Sequence, residues 1–253
     1  MIVPCRELSA GVSIAWLRAG WSDFRNAKKV SLIYGTAVFL ISLIFAWLAW
    51  KLGGYILLFS ALSGFVFVAP MLAFGLYSVS RQLCEGKRPD LSHTIEAIKR
   101  PLGNVAVYSL VLLVVFLLWT RAGLMVQVFF PFGEHPDWGH VVSFLLIGSA
   151  VGSIFASVSF AASVFSLPML ANRDIDVITA VISSINAVLR NKPAMLVWAF
   201  LICSLTLIGF LTAGIGLIII IPWLAYATWH GYRAALDVSE WSVLPQDGKV
   251  GSE

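Results

Sequence analysis

Six stretches of this 253-residue chain are apolar over a membrane-spanning length, and none carries a formal charge in its interior. An ionised side chain at the centre of a bilayer costs several kcal/mol, so the pattern identifies the solvent before it identifies the fold. Composition agrees: 59% of residues are hydrophobic, 12% are charged and the mean hydropathy is +0.89. A water-soluble core cannot absorb that much apolar surface.

The hydrocarbon core is about 30 Å thick, which a helix crosses in about 20 residues. On that scale the first span covers 30–50, between Lys28–Lys29 and Lys51. The second covers 55–80, contains Pro70 as a kink and ends before Arg81. The third covers 102–119, before Arg121, and the helix can run on toward Phe130. The fourth covers 141–170, long enough to tilt or to break at Pro168. An uncharged run from Pro193 to Tyr232 is twice too long for one crossing. Gly214 and Gly216 are its natural hinge, so it divides into spans at 194–212 and 217–232.

Cations report orientation, because loops rich in Lys and Arg stay cytoplasmic. Of the 17 Lys and Arg, 15 fall in alternate connections and the two termini, against 2 in the others. Both termini are therefore expected in the cytoplasm. The organisation reads as a cytoplasmic segment at 1–29, a six-helix membrane domain at 30–233 and a cytoplasmic tail at 234–253. Residues 1–11 hold Pro4, Arg6 and Glu7 and do not read as a cleaved signal peptide. Three cysteines, Cys5, Cys84 and Cys203, do not suggest a disulfide framework.

Three amphipathic helices are expected on the cytoplasmic side, each just before an odd-numbered span. In 174–190 the apolar set is Ile175, Ile178, Ile182, Ile185 and Leu189; in 90–99 it is Leu91, Ile95 and Ile98. In 9–27 it is Ile14, Leu17, Trp21 and Phe24, with Arg18 and Arg25 beside them. The even spans share a local pattern, Pro70-Met71-Leu72-Ala73, Pro168-Met169-Leu170-Ala171 and Pro222-Trp223-Leu224-Ala225. Arg25-Asn26 and Arg190-Asn191 also correspond. The expected architecture is thus all-α, a threefold repeat of amphipathic helix, outward span and inward span.

Few residues offer chemistry. Tyr226, His230 and Arg233 share a helical face by four- and three-residue steps, with Trp229 beside them, and could bind a lipid phosphate, a quinone headgroup or a carboxylate. The simpler reading is an aromatic belt capped by a snorkelling arginine. Glu134, His135, Asp137 and His140 are metal-ligand types, but the surrounding Pro131, Gly133, Pro136 and Gly139 describe an ordinary outer turn, and no metal is expected. Ser149, Ser153, Ser157 and Ala161, with Gly148 and Gly152, form a small-residue seam suited to close helix contact or self-association. No span carries an ionisable group for ion coupling. A haem-copper core needs several intramembrane histidines, whereas His93, His135, His140 and His230 lie at or outside the interfaces. Soluble-enzyme motifs are missing as well. No catalytic residue and no cofactor is expected, nor is nucleic acid a partner; the basic residues suit anionic lipid headgroups.

Several ordered segments carry a family resemblance: Trp16-Leu17-Arg18-Ala19-Gly20-Trp21-Ser22-Asp23, Ser31-Leu32-Ile33-Tyr34-Gly35 and Pro70-Met71-Leu72-Ala73-Phe74-Gly75-Leu76-Tyr77 with Ser80-Arg81. Ser166-Leu167-Pro168-Met169-Leu170 with Arg173-Asp174 and Trp229-His230-Gly231-Tyr232-Arg233 complete the set. Over Trp16 to Arg233 the chain resembles bacterial membrane proteins of domain of unknown function 2189 (DUF2189). The resemblance implies an integral membrane protein without an established activity. Some members carry a cytochrome c oxidase-related label, which the histidine count here opposes. The family pattern has a histidine where this chain has Tyr226. The expected function is therefore non-enzymatic support, assembly or regulation of membrane components. The alternative is binding or passage of a lipid, quinone or other uncharged small molecule in a cavity between proline-bent spans.

Overall fold

The computed structural model describes residues 2–90, 102–129 and 138–243, and for 55–69, 102, 105, 127, 129, 140 and 141 the backbone alone. Its helices are α1 (Val12–Asn26), α2 (Lys28–Leu72), α3 (Phe74–Cys84), α4 (Leu102–Phe129), α5 (Trp138–Ser163), α6 (Ser166–Asn172), α7 (Val177–Arg190), α8 (Lys192–Leu211) and α9 (Leu217–Ala235). The described residues form an all-helical protein apart from two isolated bridges, Cys5 with Leu236 and Arg173 with Val243. The amphipathic segment expected at 90–99 lies almost wholly outside the described residues.

Four described helical segments are long and apolar enough to cross a membrane: Lys28–Gly54, Ala106–Val126, Val142–Asn172 and Lys192–Leu211. α2 is two limbs joined where Gly53 and Gly54 leave helical geometry, Gly54 at φ 58°. Only glycine adopts that conformation without strain, and the chain bends there, between the first and second expected spans. The second limb continues through Pro70 and breaks at Ala73. α4 runs past the predicted end at Trp119, so Arg121 sits on the helix, exposed near its far end. The fourth span is interrupted at Val164–Phe165, not at Pro168 itself. Proline lacks the N–H for its own bond and its ring crowds the carbonyl four residues earlier, which is where the helix gives way. α8 and α9 reverse through Thr212–Gly216, with Ala213 at φ 54° and Gly214 at φ 84°. Thr212 closes that turn: its Oγ1 donates to the Gly209 carbonyl at 2.7 Å and accepts from the Gly216 N–H at 2.8 Å.

α9 is not among the four membrane-length segments; its second half carries Thr228, His230 and Arg233 and is largely enclosed by protein. It packs against α1, α2, α3, α6 and α8 and is the central post of the fold. Close approach is what glycine permits here. A Cβ on Gly20 of α1 would lie 2.5 Å from the Ala227 nitrogen, one on Gly35 of α2 would overlap the Ile218 carbonyl, and one on Gly231 would meet the Trp16 ring at 3.0 Å.

The core is gathered at the end of the bundle that carries the termini, around Trp16, Phe74, Phe165, Met169, Trp198 and Trp229. Toward the other end the membrane-length segments stand apart, with only 6 to 22% of each apolar window buried, and large side chains such as Leu40, Ile44, Leu117, Leu146 and Phe200 point outward. The first described residues meet the segment that follows α9 on one face. The Arg6 N–H donates to the Ala235 carbonyl and the Asp237 N–H to the Pro4 carbonyl, each at 2.9 Å, and Arg6 pairs with Asp237 at 3.2 Å. Asn191 fastens the same N-terminal strap. Its Oδ1 accepts from the Leu8 N–H at 2.8 Å and its Nδ2 donates to the Arg6 carbonyl at 3.1 Å and to Cys5 Sγ at 3.2 Å. Burial pushes the Cys5 thiol up from its ordinary value, an effect the Asn191 bond partly opposes. Beyond α9 the tail recrosses the base of the bundle, where the Asp174 N–H donates to the Ser242 carbonyl at 3.0 Å.

Neither of the two described amphipathic helices turns its whole apolar set toward protein. α1 buries Ser13, Trp16, Gly20, Asp23 and Phe24 and leaves Ile14 half exposed. α7 buries Val177, Ala180, Ser183, Ser184 and Ala187, while Ile178, Ile182 and Leu189 face outward. Where lipid surrounds a protein, large apolar side chains gain nothing by turning inward, and small residues let helices approach.

Candidate functional site

The four residues singled out on the last helix do not form one open site. Tyr226 and Trp229 are buried in protein, not in an interfacial aromatic belt; His230 is partly covered and Arg233 is exposed. Tyr226 lies against the first turn of α2, its hydroxyl 2.7 Å from Ser31 Oγ. The Ser31 proton is already given to the Ala27 carbonyl at 2.9 Å. A hydroxyl has one proton to give, so Tyr226 is the donor. Trp229 packs on Tyr232 with ring centroids 5.6 Å apart. Tyr232 in turn accepts from Asn172 Nδ2 of α6 at 3.0 Å.

His230 reaches α1. Its Nε2 stands 2.9 Å from Asp23 Oδ2, and the same oxygen accepts from Ser80 Oγ of α3 at 2.7 Å. The carboxylate is buried and tied to two helices remote in sequence. Burying a charge is costly unless its hydrogen bonds are made, and here two side chains make them. One step along α3, Arg81 is buried to 8% exposure and pairs with Glu85 at 3.6 Å. The cluster thus joins α1, α3 and α9 at the end of the bundle that holds the termini.

Serine, histidine and aspartate together invite comparison with a nucleophile–base pair, and the connectivity answers it. In nucleophilic catalysis the histidine stands between hydroxyl and carboxylate and takes the hydroxyl proton. Here Asp23 is the hub, and the Ser80 proton points to the carboxylate rather than to His230. That arrangement leaves the hydroxyl unactivated. What it provides is a three-helix staple in which each member satisfies another.

Asp23 is the residue that sequence reading missed. A signal was present: Trp16, Gly20, Asp23 and Ala27 follow four-, three- and four-residue steps, so the acid lies on the stripe carrying a large aromatic and two small residues. Of the other candidates, Glu134, His135 and Asp137 lie outside the described residues, as does the side chain of His140; among the described residues no cluster of His, Cys, Asp and Glu could hold a metal ion. The seam on α5 faces outward. Ser149, Ser153 and Ser157 are exposed, a Cβ on Gly148 would meet nothing within 4 Å, and Ser157 spends its proton on the Ser153 carbonyl.

Comparison with known proteins gives one family. Residues 57–172, from the second limb of α2 through α6, match DUF2189, described as a predicted integral membrane protein. Ser80 lies inside the match; Asp23 and His230 lie outside it. No curated protein and no solved structure matches the chain.

Proposed function

We propose, for an integral membrane protein whose residues 57–172 carry the DUF2189 match, a non-enzymatic role in supporting, assembling or regulating other components of a bacterial inner membrane. The observation that carries this reading is the pairing of Tyr226 and His230 within the protein. Tyr226 is spent on Ser31 and His230 on Asp23, so the residues best suited to hold a ligand are engaged in holding helices together. The outward surface, by contrast, is rich in large apolar side chains along the membrane-length segments and in the unpartnered seam of α5. Contact with lipid or with another membrane protein is what such a surface suits. The fourth span is the proposed route of self-association.

In this reading the chain crosses six times, with α9 and the second limb of α2 as the two crossings beyond the four membrane-length segments. Both termini then lie in the cytoplasm. The pairing of the first described residues with the segment that follows α9 supports an even number of crossings. Two of the three proposed repeat units correspond at their junctions, into the first and fifth spans: Ala27 (φ −111°, ψ 27°) and Asn191 (φ −116°, ψ 38°) each interrupt the helix for one residue. Aligned on those junctions, the covered positions Trp16, Gly20 and Asp23 fall on Ala180, Ser184 and Ala187, and exposed Ile14 falls on Ile178.

The test is mild-detergent or native-nanodisc purification at native expression, followed by mass determination. A stoichiometric protein partner or a defined oligomer is the expected result. A partner-free monomer that retains lipid or quinone, and loses it in a His230→Ala/Arg233→Ala double variant, would overturn the reading in favour of small-molecule binding.

A further inference from the structure

α7 turns its small side inward and its large side out. Ser184 Oγ donates to the Ala161 carbonyl at 2.7 Å and accepts from the Phe165 N–H at 3.1 Å, which clamps the helix to the terminal turns of α5. Ser183 Oγ accepts from the Val3 N–H at 3.0 Å, and the Ile175 carbonyl accepts from Asn104 Nδ2 at the start of α4 at 3.2 Å. These bonds hold α7 against the last turn of α5 and, through Ile175, the segment just before α7 beside the start of α4. On the opposite side, Ile178, Ile182 and Leu189 follow four- and seven-residue steps and are 70%, 45% and 58% exposed.

What covers that stripe is indicated by what it joins. One residue, Asn191, separates α7 from α8, and on α8 the exposed apolar surface resumes at Leu196 and Phe200 in a segment of membrane length. The stripe is therefore continuous with the lipid-facing belt. Arg190 and Lys192 are exposed at the corner between the two helices, where the belt ends. Cations placed there meet phosphates when the neighbouring apolar side chains meet acyl chains.

We propose that α7 is an in-plane membrane helix: the Ile178, Ile182 and Leu189 face is seated in the acyl-chain boundary of the leaflet, and Arg190 and Lys192 rest on anionic headgroup phosphates. The proposal rests on the membrane-spanning reading and specifies how one segment meets the lipid. It also separates α7 from α1, whose buried stripe is taken up by α9.

The test uses the full chain with Cys5, Cys84 and Cys203 changed to serine, reconstituted in nanodiscs containing phosphatidylglycerol. A nitroxide is attached singly at Ile178→Cys, Ile182→Cys, Leu189→Cys, Asp174→Cys and Leu207→Cys, and collision with oxygen is compared with collision with a water-soluble nickel chelate. The expected result is an oxygen-to-nickel ratio severalfold higher at 178, 182 and 189 than at 174, with 207 higher still. Nickel-accessible labels at 178, 182 and 189 alongside a lipid-exposed 207 would overturn the proposal and leave the span intact. Immobilised labels shielded from both reagents at the three positions would overturn it in favour of a protein partner or a second copy. A water-exposed 207 would instead remove the membrane-spanning reading beneath it.

Discussion

At the scale of the residue, two features dominate, one polar and one steric. Asp23 takes bonds from both Ser80 and His230, so Asp23→Ala leaves buried Ser80 and partly covered His230 without their acceptor. Unsatisfied groups of that kind cost about 1–3 kcal/mol each, and the thermal midpoint in detergent is expected to fall accordingly. His230→Ala should cost less, since Ser80 still satisfies the carboxylate, and the double variant should cost less than the sum of the singles. Strict additivity would show that the pair is not coupled. Glycine gives the steric contrast. Gly20→Ala and Gly35→Ala force a methyl into the backbone of α9, with a penalty of about 1–3 kcal/mol. Gly148→Ala meets open space and should be neutral or stabilising by up to about 1 kcal/mol through helix propensity. A destabilised Gly148→Ala protein would indicate that the seam of α5 is occupied by a partner.

At the scale of the element, α7 shows how capping and burial divide the work. The sequence placed its start at 174, three residues early; the helix begins at Val177 with Asp176 as its N-cap. Asp176 Oδ1 accepts from the Thr179 N–H at 2.8 Å. That bond holds the Asp176 carboxyl below its usual range. A carboxyl whose folded pKa is lowered contributes stability above its unfolded pKa and loses it as pH falls through the folded value. Asp176→Ala is therefore expected to cost about 1 kcal/mol at neutral pH, and the gap to the unmodified chain should close below roughly pH 4. A gap that persists in acid would mean the side chain acts by something other than its charge. The orientation of α7 was not legible. Periodicity reports two faces but not which one meets protein, and the rule that large apolar residues turn inward holds only where the outside is water.

At the scale of the whole molecule, the strap and tail decide how the base of the bundle closes. Asn191→Ala removes the acceptor for Leu8 and the donor to Arg6, and limited proteolysis should then clip the first ten or so residues markedly faster while α8 stays intact. Unchanged cleavage would mean that Val3 and Arg6 suffice as anchors. Orientation is tested with a membrane-impermeant thiol reagent on Asp174→Cys, with the natural cysteines replaced. Labelling is expected only from the cytoplasmic side, and labelling of intact cells would reverse the proposed topology.

The membrane-capable helices, the turn between α8 and α9 and the family match over 57–172 were all readable along the chain, because each depends on runs of local composition: apolar length, paired glycines, an ordered set of short motifs. The Asp23 hub, the burial of Tyr226 and Trp229, and the outward faces of α1 and α7 were decided only when distant segments met. Helix α9 brings residues 23, 80 and 230 to one point, and no pattern within a single helix records which of its faces will find a neighbour. In a bilayer that choice is made by close fit and hydrogen bonding between helices, because hydrophobicity no longer distinguishes inside from outside.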